Sequence, residues 1–264
     1  MSAAEDKESE EIIRSTFPIL TEWQTRGAKA YKPPTGSELA ADDADWPGFP
    51  LSTVAWSGLG SATDHLVAIQ RHVEAKQLFP MSHPTLCRSA LVGAAQAVWV
   101  LAPDGCPVRL SRTRTVLAEM YKRHLQYLTG LQDLADSPHA GTDIVAGVVK
   151  QRMGELEAKR SADNQKEKLE ATKMIREAGE SAFGKSNLVK EVVLAWQSGS
   201  GAAHGLSWQL FGVPGTSQTS SGASDGIAEF QAGGSLSRIA NAYMAAFRLA
   251  EHGWNLFDKR SAIA

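Results

Sequence analysis

Residues 187–210 read NLVKEVVLAWQSGSGAAHGLSWQL, and the interpretation of the chain starts from this stretch. Val192 and Trp196 are four residues apart, which predicts a helix that buries one apolar face. The helix is expected to begin at Asn187, a favourable N-cap residue, and to continue through His204. An apolar face followed by small and polar residues is an unusual combination, and two interpretations of it stay open.

The two interpretations differ in the role that they give to the small residues at 198–203. In the first, they form a smooth surface against which another helix packs closely, either from this chain or from a second copy. In the second, they clear space around Gln197, Ser200 and His204, which share a helical face because of their spacing. The two glycines in this run each weaken a helix by roughly 1 kcal/mol relative to alanine, so something other than propensity must favour them.

Length and composition limit the class of protein. The chain has 264 residues, 43% of them hydrophobic and 21% charged, and its net charge of -2 gives no global signal for nucleic acid. Two cysteines, Cys87 and Cys106, favour a reducing compartment and exclude a zinc site of two cysteine pairs. The acidic start does not resemble a signal peptide, and the apolar run 90–102 is too short for a bilayer span. We expect a cytoplasmic protein without a membrane segment.

Helical periodicity over most of the chain predicts an all-α, single-domain bundle. Helices are expected over residues 5–26 with a division near Pro18, and over 51–78, 85–102, 108–135, 142–183 and 236–256. The region 142–183 is either one helix or two that break near Ser161. The helix over 85–102 is apolar nearly all round and is therefore expected at the centre of the bundle.

Two segments lack this periodicity. Residues 27–50 are rich in proline and aspartate and predict a long loop, and residues 212–234 are rich in glycine, serine and threonine and predict a second loop or a small hairpin. Residues 1–50 are therefore expected to be a helix and a loop that pack on a body formed by residues 51–264.

Three arginines are candidates for binding phosphate. Arg88 lies near the start of the apolar helix 85–102, where a charge needs a carboxylate or a bound anion as its partner. Arg109 and Arg112 are one turn apart and could hold a phosphate together, although charge runs on helices are more often solvated faces. We expect both Arg88 and His204 to be largely buried near the centre of the bundle.

The sequence GESAFGKS at residues 179–186 matches the pattern of a phosphate-binding loop. Such a loop follows a buried strand, and its backbone amides wrap the phosphates at the start of a helix. Residues 168–178 are charged and helical in period, so no strand is expected there. We interpret the match as accidental, with Gly184 ending one helix and Asn187 capping the next. Nucleotide binding through 179–186 is kept as a second alternative.

The stretch also resembles a known family. Trp196, Gln197, Ser200 and His204 occupy the positions of a Tyr-Arg-x-x-Ser-x-x-x-His helix, which is similar to a late helix of bacterial relatives in the HEPN superfamily. Arg88-Ser-Ala-Leu, Trp99 and the arginines at 109 and 112 resemble the preceding helices of those relatives. The resemblance implies a helical bundle, commonly a homodimer, and in many members a metal-independent ribonuclease whose arginine and histidine meet their symmetry mates in one cleft.

The chemistry implied by this resemblance is incomplete here. Histidine can move a proton to or from a 2′-hydroxyl near neutral pH, and arginine can stabilise the added charge on phosphorus. Gln197 stands at the position of the catalytic arginine, and a neutral amide cannot supply that charge. Only His204 and Ser200 carry over from the implied catalytic site.

We therefore expect a HEPN-like protein with negligible ribonuclease activity and with no cofactor or metal. It would act as a homodimer or by binding RNA or a protein partner, in a stress or defence system. The first alternative is a metal-independent ribonuclease that uses His204, in which Arg88, or the pair Arg109 and Arg112, replaces the missing charge.

Overall fold

The computed structural model describes residues 3–134, 140–220 and 228–263. In these ranges it contains α1 (Ala3–Ser15), α2 (Phe17–Gly27), α3 (Glu38–Asp43), α4 (Leu51–Glu74), α5 (Ser82–Leu101), α6 (Cys106–Leu134), α7 (Ala140–Ala162), α8 (Ala171–Phe183), α9 (Asn187–Ala203) and α10 (Leu236–Ser261). A short 3-10 helix, Ser207–Leu210, and a two-stranded sheet of β1 (Thr216–Gln218) and β2 (Phe230–Ala232) complete the described structure. The predicted all-α fold class is confirmed.

Helix α5 is the centre of the bundle, as its apolar sequence predicts. It packs against α4, α6, α8, α9 and α10. Gly58 on α4 and Gly93 on α5 allow these two helices to approach closely, because a Cβ atom added to either glycine would lie 2.6 Å from the carbonyl oxygen of the other. None of the described helices, α5 included, is both long and apolar enough to cross a membrane.

The first three helices lie against α4 and α10. Helices α1 and α2 are separated at Thr16, two residues before Pro18, near the predicted division. The segment 27–50, which the sequence predicts to be a long loop, is irregular between α2 and α4 except for the short helix α3, which was not predicted. Ser37 caps α3 by accepting a hydrogen bond from the backbone N–H of Ala40 at 3.1 Å. A serine directly before a glutamate was the available signal for this start.

Helices α6 and α7 pack along each other as a hairpin. Helix α7 ends at Ala162 and α8 begins at Ala171, so the two-helix alternative for residues 142–183 is confirmed. The predicted end of the helix over 108–135, and the loop that follows it, fall partly on residues 135–139, which lie outside the described residues.

The late polar segment contains a small hairpin. Strands β1 and β2 pair antiparallel, with Thr216 opposite Ala232 and Gln218 opposite Phe230. The small-hairpin alternative for residues 212–234 is therefore confirmed, although its residues 221–227 are outside the described ranges.

Candidate functional site

Helix α9 packs closely on α5 through its small residues. A Cβ atom at Gly199 would lie 2.6 Å from the Cβ atom of Arg88 and 2.7 Å from the carbonyl oxygen of Pro84. The Arg88 Nε atom donates a hydrogen bond to the Ser200 Oγ atom at 2.8 Å. The first interpretation of residues 198–203 therefore describes this contact, and the helix that packs on them comes from the same chain.

Arg88 is half-buried, whereas its position in the sequence predicts that it is largely buried. Its partner is a neutral hydroxyl, since no carboxylate in the described part of the chain forms an ion pair with Arg88. The charge of this guanidinium is therefore uncompensated beside Ser200. The prediction was wrong about burial because Arg88 lies on α5 where α9 only partly covers it.

His204 is exposed and follows the last residue of α9. Its backbone N–H donates to the Ser200 carbonyl at 3.1 Å, but Gly205 has a φ of +68° and turns the chain out of the helix. The N–H groups of Gly205 and Leu206 donate back to α9 carbonyls, which completes a Schellman cap. The predictions that the helix continues through His204 and that its imidazole is largely buried are therefore wrong. Glycine directly after the histidine was the signal for this ending.

Gln197 is also exposed, and it lines a groove of 960 Å³ between α8 and α9. The same groove is lined by the cationic side chains of Arg176, Lys185 and Lys190. None of these three cations forms an ion pair within the described ranges, and Glu180 is the carboxylate among the lining residues. The lining therefore carries an excess of positive charge next to the position where the resemblance expects an arginine.

Sequence reasoning missed these cations and one exposed aromatic residue. Trp208 is 53% exposed and lies against α9, because a Cβ atom at Gly201 would be 2.6 Å from Trp208 Cζ2. The tryptophan follows His204 by four residues within the stretch 187–210, so the signal was present in the sequence. The sequence did not predict that Arg176 and Lys190 lie close together, because their proximity depends on the turn between α8 and α9.

The turn at residues 184–186 does not form a phosphate-binding loop. Gly179 lies inside α8 and packs against Val189, and the residues before it are helical rather than a strand. Gly184 ends α8 with a φ of +64°, as predicted, but Ser186 rather than Asn187 is the N-cap of α9. Three residues outside helices are too few to wrap a chain of phosphates.

Arg109 does not present a phosphate-binding edge with Arg112. The Arg109 guanidinium is 3% exposed and forms ion pairs with Asp42 at 2.6 Å and Glu38 at 3.1 Å. Burial alone would lower the pKa of Arg109, but the hydrogen bond and charge of Asp42 outweigh it and raise the pKa. This arginine is therefore occupied in joining α3 to α6.

Arg112 points to a different neighbour. Its guanidinium pairs with Glu177 on α8 at 2.7 Å and lies 5.0 Å from the ring centroid of Trp99 on α5. The prediction of a joint anion site for the two arginines is wrong because each already has an acidic partner. Both partners are remote in sequence, 67 and 65 residues away, so helix spacing could not reveal them.

The geometry thus keeps Arg88 next to Ser200, with His204 one turn further along α9 and Gln197 facing the cationic groove. Within the described ranges, no group of three or more His, Cys, Asp or Glu side chains could hold a metal ion. No protein-family model, curated protein or solved structure matches the chain. The resemblance to the HEPN superfamily therefore rests on the residues of α5, α6 and α9, and its test is biochemical.

Proposed function

We propose that this protein is a HEPN-like helical protein that binds single-stranded RNA without cleaving it, through the groove between α8 and α9. The observation that carries the proposal is the set of three cations, Arg176, Lys185 and Lys190, that line the groove beside Gln197 and form no ion pair in the part of the chain that the structure describes. Cations of this kind bind phosphates and release counterions, which supplies most of the affinity for a nucleic acid backbone. The net charge of -2 makes this local excess stand out from the rest of the chain.

Features beside the groove favour a single strand. The groove has an apolar floor that includes Val189 and Val193, and Trp208 offers an exposed ring toward the other end of α9. Bases stack on exposed aromatic rings when they are not paired, whereas a duplex hides their faces. Helix α9 has 17 residues and is about 25 Å long, enough to follow a few nucleotides.

The proposed absence of cleavage rests on Gln197 of α9 and on His204, which follows the helix. His204 supplies an exposed imidazole, but the neutral Gln197 cannot stabilise charge on phosphorus. We propose that RNA is therefore held and not cut. In line with the resemblance, we further propose that the protein works in the cytoplasm as a homodimer in a stress or defence system.

Binding is tested by fluorescence anisotropy with a labelled single-stranded RNA of mixed sequence. We expect Lys185→Glu/Lys190→Glu to weaken binding by about tenfold or more, and to reduce the slope of log affinity against log salt by about 1.4 for two lost phosphate contacts. The matched control is Lys29→Glu/Lys32→Glu, which changes two exposed lysines by the same charge away from the groove. Equal loss in both double variants, or no binding by the wild type, would reject the groove as an RNA site.

Cleavage is tested on the same RNA. We expect the wild type to leave it intact, and Gln197→Arg to gain cleavage that His204→Ala then removes. Robust cleavage by the wild type that His204→Ala abolishes would overturn the proposal of a non-cleaving protein.

One observation favours a second candidate, a metal-independent ribonuclease. The hydrogen bond from Arg88 Nε to Ser200 Oγ holds a guanidinium next to the helical turn that ends at His204. In this alternative Arg88 supplies the charge that Gln197 lacks. It predicts wild-type cleavage that is lost in both Arg88→Met and His204→Ala, while Arg88→Lys retains part of it.

A further inference from the structure

The free end of the α6–α7 hairpin carries an unusual number of exposed apolar side chains. Their exposed fractions range from 37% for Leu131 to 83% for Leu134. We call them the hairpin patch, which consists of Tyr127, Leu131 and Leu134 on α6 and Ile144, Val145 and Val148 on α7. Scattered apolar residues are normal on a protein surface, but a contiguous group of six large ones indicates an interaction site.

The two halves of the hairpin patch lie at the same distance from the free end of the hairpin. Near the free end Gln132 donates a hydrogen bond to Asp143, and near the other end Ala118 and Leu156 line one groove. The hydrogen bond and the shared groove show that the two helices run antiparallel, and this pairing places Leu131 beside Ile144. The patch is therefore continuous across the two helices.

Both halves also face the same side of the hairpin. On α6 the residues 127, 131 and 134 form one row at helical spacing, and on α7 the residues 144, 145 and 148 form another. On each helix, the row lies to one side of the residues that form the buried contact between the helices. These buried residues include Leu128 on α6 and Val149 on α7. The two rows are displaced from this contact by a similar angle about their helix axes. Because the helices are antiparallel, this displacement brings both rows to the same side of the hairpin.

Charged residues occupy the opposite side. Lys122 and Glu157 line a groove there, and the helical period places Asp133 and Lys150 on the same side as these two. Nearer the body, the side that carries the patch is covered by residues 45–48, because Lys159 pairs with Asp45 at 2.9 Å and Arg152 lies against Gly48. The covering ends before the hairpin patch begins.

We infer that the hairpin patch is the surface through which two copies of this chain associate, with the two hairpins forming an intermolecular four-helix bundle. The exposed fractions of the six residues correspond to at most about 700 Å² of surface on each copy, a little below the roughly 800 Å² per partner that a standard stable interface buries. The patch has no charge that would select a differently charged partner, and a two-fold axis can pair an apolar face with its own copy. The hairpin patch is separate from the α8–α9 groove, so the inferred association of two copies does not depend on RNA binding.

Analytical ultracentrifugation of the full chain tests this inference. We expect the wild type to sediment as two chains of 28.3 kDa, and Ile144→Glu to raise the dimer Kd by about 30-fold or more, the effect of losing a central contact. Ile144 is 68% exposed, so its replacement should leave the circular dichroism spectrum of the monomer unchanged. Leu188→Glu is the matched control, because Leu188 is 50% exposed on α9 and lies outside the patch.

A positive measurement complements the loss of association. In a Cys106→Ser background, Leu131→Cys or Ile144→Cys should form an intermolecular disulfide on mild oxidation, whereas Lys150→Cys on the charged side should not. A monomeric wild type at high micromolar concentration would overturn the inference and leave the patch to a different partner. A dimer that Ile144→Glu does not weaken, or that cross-links equally through position 150, would overturn it as well.

Discussion

Removal of the Asp42 carboxylate should destabilise the protein strongly, because this group neutralises a buried arginine. Asp42 is 1% exposed in its side chain, and both of its oxygens accept hydrogen bonds from Arg109, at 2.6 and 3.1 Å. Breaking a buried ion pair by removing one partner costs roughly 3–5 kcal/mol. In Asp42→Ala, Arg109 keeps Glu38 and two backbone carbonyls at 3.0 and 2.7 Å as partners. We therefore expect the free energy of unfolding to decrease by about 3 kcal/mol, at the lower end of that range.

Thermal unfolding followed by circular dichroism measures this loss. For a chain of this length, about 3 kcal/mol corresponds to a decrease in Tm of roughly 6–12 °C. Asp163→Ala is the matched control, since Asp163 is 57% exposed and its partner Arg114 keeps Asp45, so the control should lose less than about 1 kcal/mol.

A double variant separates the buried charge from the lost side chain. Asp42→Ala/Arg109→Met removes both members of the pair and should lose less stability than the sum of the two single variants, because no uncompensated charge remains. Losses in Asp42→Ala that match those of Asp163→Ala, or strict additivity in the double variant, would refute the assignment of Arg109 to a structural ion pair.

Two further predictions concern packing and pH. Gly199→Ala should destabilise the protein by about 1–3 kcal/mol in urea titrations despite the higher helix propensity of alanine, because the added Cβ meets Arg88 and Pro84. In the control Gly60→Ala the added Cβ enters open space, so this substitution should instead stabilise α4 by up to about 1 kcal/mol. Burial, and then the neighbouring His72, lower the pKa of His83 to about 4, so the unfolded chain binds a proton between pH 6.5 and 4 that the folded chain does not. Stability should therefore fall by about 3 kcal/mol as the pH drops through this window, and His83→Gln but not the exposed His124→Gln should remove that part of the decrease.

The sequence predicts the helices well because their apolar periodicity is local. The apolar character of α5 places it at the centre, and Pro18 marks the division between α1 and α2. The helix α3 was missed because it has only six residues, too few for a period to appear.

The candidate site was predictable only in part. The small residues of α9 correctly indicated a close helix contact, and Ser200 does meet Arg88. The burial of His204 was predicted wrongly, because the positive φ of Gly205 ends the helix before the bundle encloses the imidazole. Pairings such as Arg109 with Asp42 depend on the tertiary fold, and no local pattern contains them.

The reciprocal contact between Gly58 and Gly93 has a consequence for how the core can change. Each missing side chain is replaced by a main-chain oxygen of the partner helix, so the distance between the two helices is fixed by backbone atoms. Trimming a neighbouring aliphatic group cannot make room for a methyl group at either position. Aliphatic residues elsewhere in the interior can exchange with one another at modest cost, while these two positions tolerate no replacement unless α4 and α5 move apart together.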